Sequence, residues 1–151
     1  MSEPRPDRKR PHHEIRPVAE RPTIIFLTVC TAHRLPILAN PTMHAAIIEA
    51  WMAATAWRVG RYVIMPDHVH LFAAPGQPEL PLGNWVKYWK RPLSKTLGAG
   101  AWQDDYWDRT LRSDENYAEK WNYTARNPER AGLVRRWEDW PFQGELNQFT
   151  W

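Results

Sequence analysis

The sequence predicts an α+β fold: a ferredoxin-like βαββαβ antiparallel sheet with one helix added at its C-terminal end. Three observations predict it. Apolar, β-branched runs of strand length alternate with stretches whose apolar residues recur every three or four positions. A Pro-Asp turn separates the second and third runs closely enough for a hairpin. The order reads strand, helix, strand, strand, helix, strand, and then a further helix.

Residues 1–22 carry five prolines and six basic residues (Arg5, Arg8, Lys9, Arg10, Arg16, Arg21) with almost no apolar content. Such a segment buries too little surface to offset its ordering entropy, so it is read as a flexible arm. It is either a plain terminus or a basic arm that touches nucleic acid. Residues 23–151 form a single domain. Thr23 to Cys30, β-branched and almost continuously apolar, is a central strand. Asn40 caps a helix that Pro41 begins, with Met43, Ala46, Ile47, Ala50 and Trp51 on one face and Gly60 closing it. Arg61 to Met65 is the second strand and His68 to Ala73 the third. The second helix runs from about Pro81 to Leu97, kinked or restarted at Pro92. Trp102 to Leu111 makes the fourth strand, although Asp104 and Asp105 count against its middle. Ser113 caps a third helix, with Asp114 and Glu115 in its first turn, and Asn127-Pro128 ends it. The remaining segment, with Trp137, Trp140 and Phe142, is read as an irregular cover.

Composition narrows the class without naming a function. The 151 residues are 43% hydrophobic and 25% charged, ordinary for a soluble globular chain, but hold ten tryptophans and fourteen prolines. The lone Cys30 excludes an intrachain disulfide and a multi-cysteine zinc site, and it suits a reducing cytosol. No apolar run approaches the roughly 20 residues of a membrane helix, and the N-terminus lacks an apolar secretion core. The expected location is cytoplasmic. The pI is about 9.2 at a formal charge of only +3, so placement of charge matters more than its sum. Lys87, Lys90, Arg91 and Lys95 share one side of the second helix, with Trp85, Tyr88 and Trp89 interleaved. That mixture suits a phosphate backbone with stacked bases, or equally a solvated basic face over a tryptophan-rich core. Arg126, Arg130, Arg135 and Arg136 form a second basic group.

His68 and His70 are the sharpest local feature. Alternation along a strand sets both on one sheet face, roughly 6.5 to 7 Å apart at the backbone, while Val69 and Leu71 anchor the other. Two imidazoles so placed suit one divalent metal, though His-x-His alone is also what two histidines on a polar sheet face would give. Tyr123 and Asn127, four apart, are neighbours on one helical face. Asn127 offers a metal-binding oxygen and Tyr123 a phenolic nucleophile that needs a nearby base or cation. The plainer reading makes Tyr123 a half-buried aromatic and Asn127 a helix terminator.

Taken together, these strings resemble a known family. Tyr62-Val63-Ile64-Met65-Pro66-Asp67-His68-Val69-His70-Leu71 looks like the hallmark of single-tyrosine HUH transposases. The stretches from Trp102 to Arg109 and from Tyr123 to Val134 resemble one branch, the REP-associated tyrosine transposases. The resemblance covers about residues 22 to 145. Asp67 stands where members often have asparagine, and Thr124 where isoleucine commonly follows the tyrosine.

The resemblance implies an enzyme that cuts and rejoins single-stranded DNA near a hairpin. His68 and His70 match the metal pair, Asn127 the residue completing the site, and Tyr123, on the added helix, the nucleophile that forms a 5′-phosphotyrosine. A Mg2+ or Mn2+ ion is the expected cofactor. Single-stranded or hairpin DNA is the expected partner, held by Lys87, Lys90, Arg91, Lys95, Arg126 and Arg130, with Arg10 of the arm tracking the stem. Monomer and homodimer both remain open. Two alternatives stand beside this reading: a DNA-binding protein on the same scaffold that no longer cuts, and a metal-dependent hydrolase with a water nucleophile.

Overall fold

A computed structural model describes residues 23–112 and 114–149. The expected arm with Arg10, the cap at Ser113 and the side chains of Asp114 and Glu115 lie outside the described residues. Five strands, β1 (Ile24–Cys30), β2 (Trp57–Ile64), β3 (His68–Pro75), β4 (Trp107–Leu111) and β5 (Gln143–Glu145), form one sheet in the order β4-β1-β3-β2-β5. Every pairing is antiparallel. The helices are α1 (Pro41–Ala53), α2 (Leu82–Leu97), α3 (Asp114–Ala125) and the one-turn α4 (Asn127–Arg130).

The sheet is covered on both faces, which explains the unbroken apolar character of β1. Ile25, Leu27 and Val29 of β1, with Val69, Leu71 and Ala73 of β3, pack against Ile47 and Trp51 of α1 and Trp85, Val86 and Trp89 of α2. The opposite residues, Ile24, Phe26 and Phe72, pack against Trp121 and Ala125 of α3 and against Trp140. α1 begins as expected: Asn40 Oδ1 accepts from the Met43 amide at 2.9 Å, and Pro41 occupies the first turn, where its missing N–H costs nothing.

Several boundaries depart from the sequence reading, each for a physical reason. α1 stops at Ala53, and Gly60 lies inside β2 instead of closing the helix. Gly60 sits where the β2–β3 register shifts between Val59 and Tyr62, and an added Cβ would stand 2.6 Å from the Phe149 ring. α2 passes through Pro92 as one element. Pro92 and Tyr88, four residues earlier, are both exposed, so water can serve the carbonyl that the proline leaves without a donor. Trp102 makes only an isolated bridge to Thr31, and β4 starts five residues later, at Trp107. Asn127-Pro128 opens α4 rather than simply ending α3, since proline is tolerated in a first helical turn. The C-terminal cover is partly regular: Gln143, Gly144 and Glu145 pair with Val63, Tyr62 and Arg61 on the β2 edge.

Candidate active site

The period-two alternation of β3 aims His68 and His70 at the α3 face, while Val69 and Leu71 enter the opposite core. His68 retains 4% of its accessible surface and His70 none. Their ring centroids lie 4.7 Å apart, nearly perpendicular. The antiparallel register sets Thr28 opposite His70, and the Thr28 hydroxyl stands 2.8 Å from His70 Nδ1. Phe26, on the same face of β1, stacks on the His70 ring at 5.3 Å. His70 Nε2 is buried with no hydrogen-bond partner. Burial is the main cause that pushes the His70 pKa well below the usual imidazole range, and the positive charge of Lys120, Arg130 and Arg34 adds to it. The ring is therefore neutral at pH 7, the form in which imidazole binds a cation.

His68 is held differently. Its Nδ1 lies 2.7 Å from Asp67 Oδ1, and Arg34 Nε donates to Asp67 Oδ2 at 3.0 Å. The His68 hydrogen bond, followed by that from Arg34, holds the Asp67 carboxyl down at about 2 against the opposing effect of burial. The hairpin that carries this pair is tight, with the Met65 amide donating to the His68 carbonyl at 2.8 Å. Thr31 fixes its position against β1, its amide donating to the Asp67 carbonyl at 3.0 Å.

α3 and α4 bring Tyr123, Asn127 and Arg130 together. The Arg130 guanidinium lies over the Tyr123 ring, 3.9 Å from its centroid, and donates to Asn127 Oδ1 at 3.0 Å. Asn127 Nδ2 is buried and unpartnered. The positive charges of Lys120 and Arg130, which flank Tyr123 and Asn127 in the chain, both contribute to the lowered His70 pKa. Lys120 Nζ also caps the Phe26 ring at 4.6 Å. Among the described residues, no cluster of three or more His, Cys, Asp or Glu side chains could hold a metal ion. An ion at the pair would therefore draw on a different residue type for further protein ligation, and the Asn127 amide is of the right kind. A neutral, buried, unpartnered His70 Nε2 beside a carboxylate-backed His68 fits a divalent cation.

The expected DNA contacts separate into two regions. Arg126 and Arg130 lie on the tyrosine side, Arg126 exposed, donating to the Asn122 carbonyl and stacking over Trp137. Lys87, Arg91 and Lys95 are exposed on α2, across the sheet from the histidines. Lys90 instead turns inward, donating to the Gln103 carbonyl at 2.9 Å, and burial lowers its pKa to about 8. Trp85 and Trp89 do not line a DNA face: both are fully buried, and the aromatic that α2 exposes is Tyr88.

Three residues of the site escaped sequence reasoning: Thr28, Arg34 and Lys120. Thr28 was legible only as one more β-branched strand residue. Arg34 reaches Asp67 across 33 positions of chain, which no local pattern reveals.

No family model matches the chain. It is similar to an Escherichia coli protein named REP-associated tyrosine transposase, 25% identical over 88 residues, which are 57% of this chain and 53% of that protein. The chain thus spans about half the length of the curated relative it matches. In fold it is similar to the solved structure of a REP-associated tyrosine transposase bound to a REP hairpin, with a TM-score of 0.70 at 21% identity, covering 87% of this chain and 81% of that one. The resemblance to REP-associated tyrosine transposases is thereby borne out, and the mixed architecture with a five-stranded antiparallel sheet matches the fold of that solved transposase.

Proposed function

We propose that this chain is a metal-dependent, single-stranded DNA endonuclease and strand transferase that acts at hairpin DNA through a 5′-phosphotyrosine on Tyr123. In this reading the sheet is the ferredoxin-like βαββαβ core and α3 is the added helix bearing the nucleophile. The observation that carries it is the buried His68–His70 pair, neutral at His70, on the sheet face that the Tyr123 helix covers. The hairpin-bound fold relative and the transposase-named curated relative support the same substrate class.

His68, His70 and Asn127 would hold a Mg2+ or Mn2+ ion, which when bound supplies positive charge to the scissile phosphate as its negative charge grows. The Tyr123 oxygen attacks phosphorus. Its O–P bond forms as the bond to the 3′ oxygen breaks, the phenolic proton goes to solvent, and the 3′ oxygen takes up a proton. Arg130, over the Tyr123 ring, puts positive charge beside the phenol where negative charge develops. The phosphodiester link is conserved in the adduct, so rejoining to a 3′-hydroxyl needs no ATP. Arg126 and Arg130 would flank the cut strand, and Lys87, Arg91 and Lys95 would hold DNA on the far side of the sheet.

The test is a denaturing gel of protein incubated with single-stranded palindromic DNA and Mn2+. A protein–DNA adduct with wild type that is absent from Tyr123→Phe and His68→Ala is expected. Cleavage that survives Tyr123→Phe but not His68→Ala would replace this mechanism with hydrolysis by water. DNA binding without any adduct would leave a non-cutting binding protein.

A further inference from the structure

The turn after β1 is strained at two consecutive residues that carry a Cβ. His33 and Arg34 have φ of 55° and 53°, the left-handed region that side chains disfavour. Their surroundings hold them there: the Ala32 amide donates to the Ala101 carbonyl at 2.7 Å, and the Thr31 hydroxyl donates to the Leu35 carbonyl at 2.9 Å. The consequence is the aim of the Arg34 side chain. Its Nε meets Asp67 Oδ2 at 3.0 Å, and one terminal nitrogen comes to 3.3 Å from His68 Nδ1.

His68 Nδ1 can either donate a proton or accept one, so its two neighbours compete. Accepting from Arg34 at 3.3 Å would leave the Nδ1 lone pair facing an ionised carboxylate oxygen at 2.7 Å, a repulsive contact. Donating to Asp67 gives the shorter, charge-assisted bond and leaves the longer Arg34 contact without a hydrogen bond. The carboxylate wins. Arg34 then occupies Oδ2 and directs Oδ1 to the imidazole. His70 has a different backing, a neutral hydroxyl from Thr28, so the two rings of the pair are oriented by unlike partners.

We propose that Arg34 is a positioning residue: through Asp67 it locks His68 in the Nδ1–H tautomer, which turns the Nε2 lone pair toward a divalent cation. This rests on the metal-dependent reading above. A hydrogen-bonded partner behind a ligating imidazole fixes its orientation and raises its basicity, and losing such a partner typically weakens metal binding about 10- to 100-fold.

The experiment pairs two readouts on wild type, Arg34→Gly and Arg34→Lys. Imidazole nitrogen chemical shifts in metal-free protein report the His68 tautomer, and electron paramagnetic resonance titration reports Mn2+ affinity. Arg34→Gly suits the left-handed backbone and so should fold cooperatively. With Asp67 no longer held through Oδ2, it is expected to weaken the Nδ1–H bias and to bind Mn2+ at least tenfold more weakly. Arg34→Lys keeps charge without the fork and should fall between the two. An Nε2–H tautomer in wild type overturns the proposal, as does an unchanged tautomer and Mn2+ affinity in both variants. A wild type that binds no Mn2+ overturns the metal reading instead, while the tautomer result still decides whether Arg34 acts through Asp67.

Discussion

At the scale of single residues, the candidate site is a set of buried polar atoms whose partners come from distant parts of the chain. His70 is fully buried, and the Thr28 hydroxyl is the hydrogen-bond partner of its Nδ1. Replacing Thr28 with valine keeps the shape and leaves that nitrogen unpartnered in the interior. The cost should be about 1–3 kcal/mol of folding stability, read from urea midpoints. A change within a few tenths of a kcal/mol would mean that the bond contributes nothing net. The histidine pair was legible in the sequence because period-two alternation is a local property of a strand. Thr28, Arg34 and Lys120 were not, because their roles depend on strand register and helix docking, which residue type and spacing do not encode. Asp67 was visible as a turn residue and as part of the family-like string; its bridge between Arg34 and His68 is a tertiary fact.

At the scale of elements, the sequence specified the order of strands and helices but blurred their ends. α1 was legible from its Asn-Pro cap and apolar spacing, because those signals are local. β5 was not: three residues with no apolar alternation become a strand only because the β2 edge is there to pair with. Gly60 misled as a helix stop because glycine marks both a helix end and a bulge, and what distinguishes them is the Phe149 ring packed against it. α2 shows how charge and burial can divide one helix face. Lys90 belongs to the basic cluster by spacing, yet it is drawn inward to the Gln103 carbonyl, and its pKa falls to about 8 from an ordinary 10.5. Between those values the unfolded chain binds more protons at this group than the folded one, so its contribution to stability rises with pH across that window. The stability difference between wild type and Lys90→Met, measured by urea unfolding from pH 7 to 10, should shift in favour of wild type as pH rises through 8. A difference independent of pH would show that Lys90 keeps its ordinary pKa in the folded protein.

At the scale of the whole molecule, two layers of helices enclose the sheet and divide the work. Five of the ten tryptophans, Trp51, Trp57, Trp85, Trp89 and Trp102, pack on the α1 and α2 side of the sheet. Trp51 and Trp102 meet Trp89 edge-on at 5.8 and 5.7 Å, and Trp85 bonds the Ala54 carbonyl at 2.7 Å. The other face of the sheet carries the histidines, and the helices over it carry Tyr123, Lys120 and Arg130. Exposed Lys87, Arg91 and Lys95 lie on the first layer, so the proposed DNA contacts extend beyond the cutting face. If all three touch phosphates of single-stranded DNA, their joint replacement by alanine should reduce the slope of log affinity against log salt by about 2, at about 0.7 per contact. An unchanged slope would remove that α2 face from the DNA path. Among the described residues no helix is long and apolar enough to cross a membrane.

The central claim is that Tyr123, on the helix covering the His68–His70 face, becomes covalently joined to DNA. Peptide mass spectrometry of the nuclease-trimmed adduct, formed with single-stranded palindromic DNA and Mn2+, tests it most directly. The account predicts a nucleotide-5′-phosphate on Tyr123 and an unmodified tyrosine at every other position. A nucleotide on another residue, or a cleaved strand with no modified peptide, would contradict it.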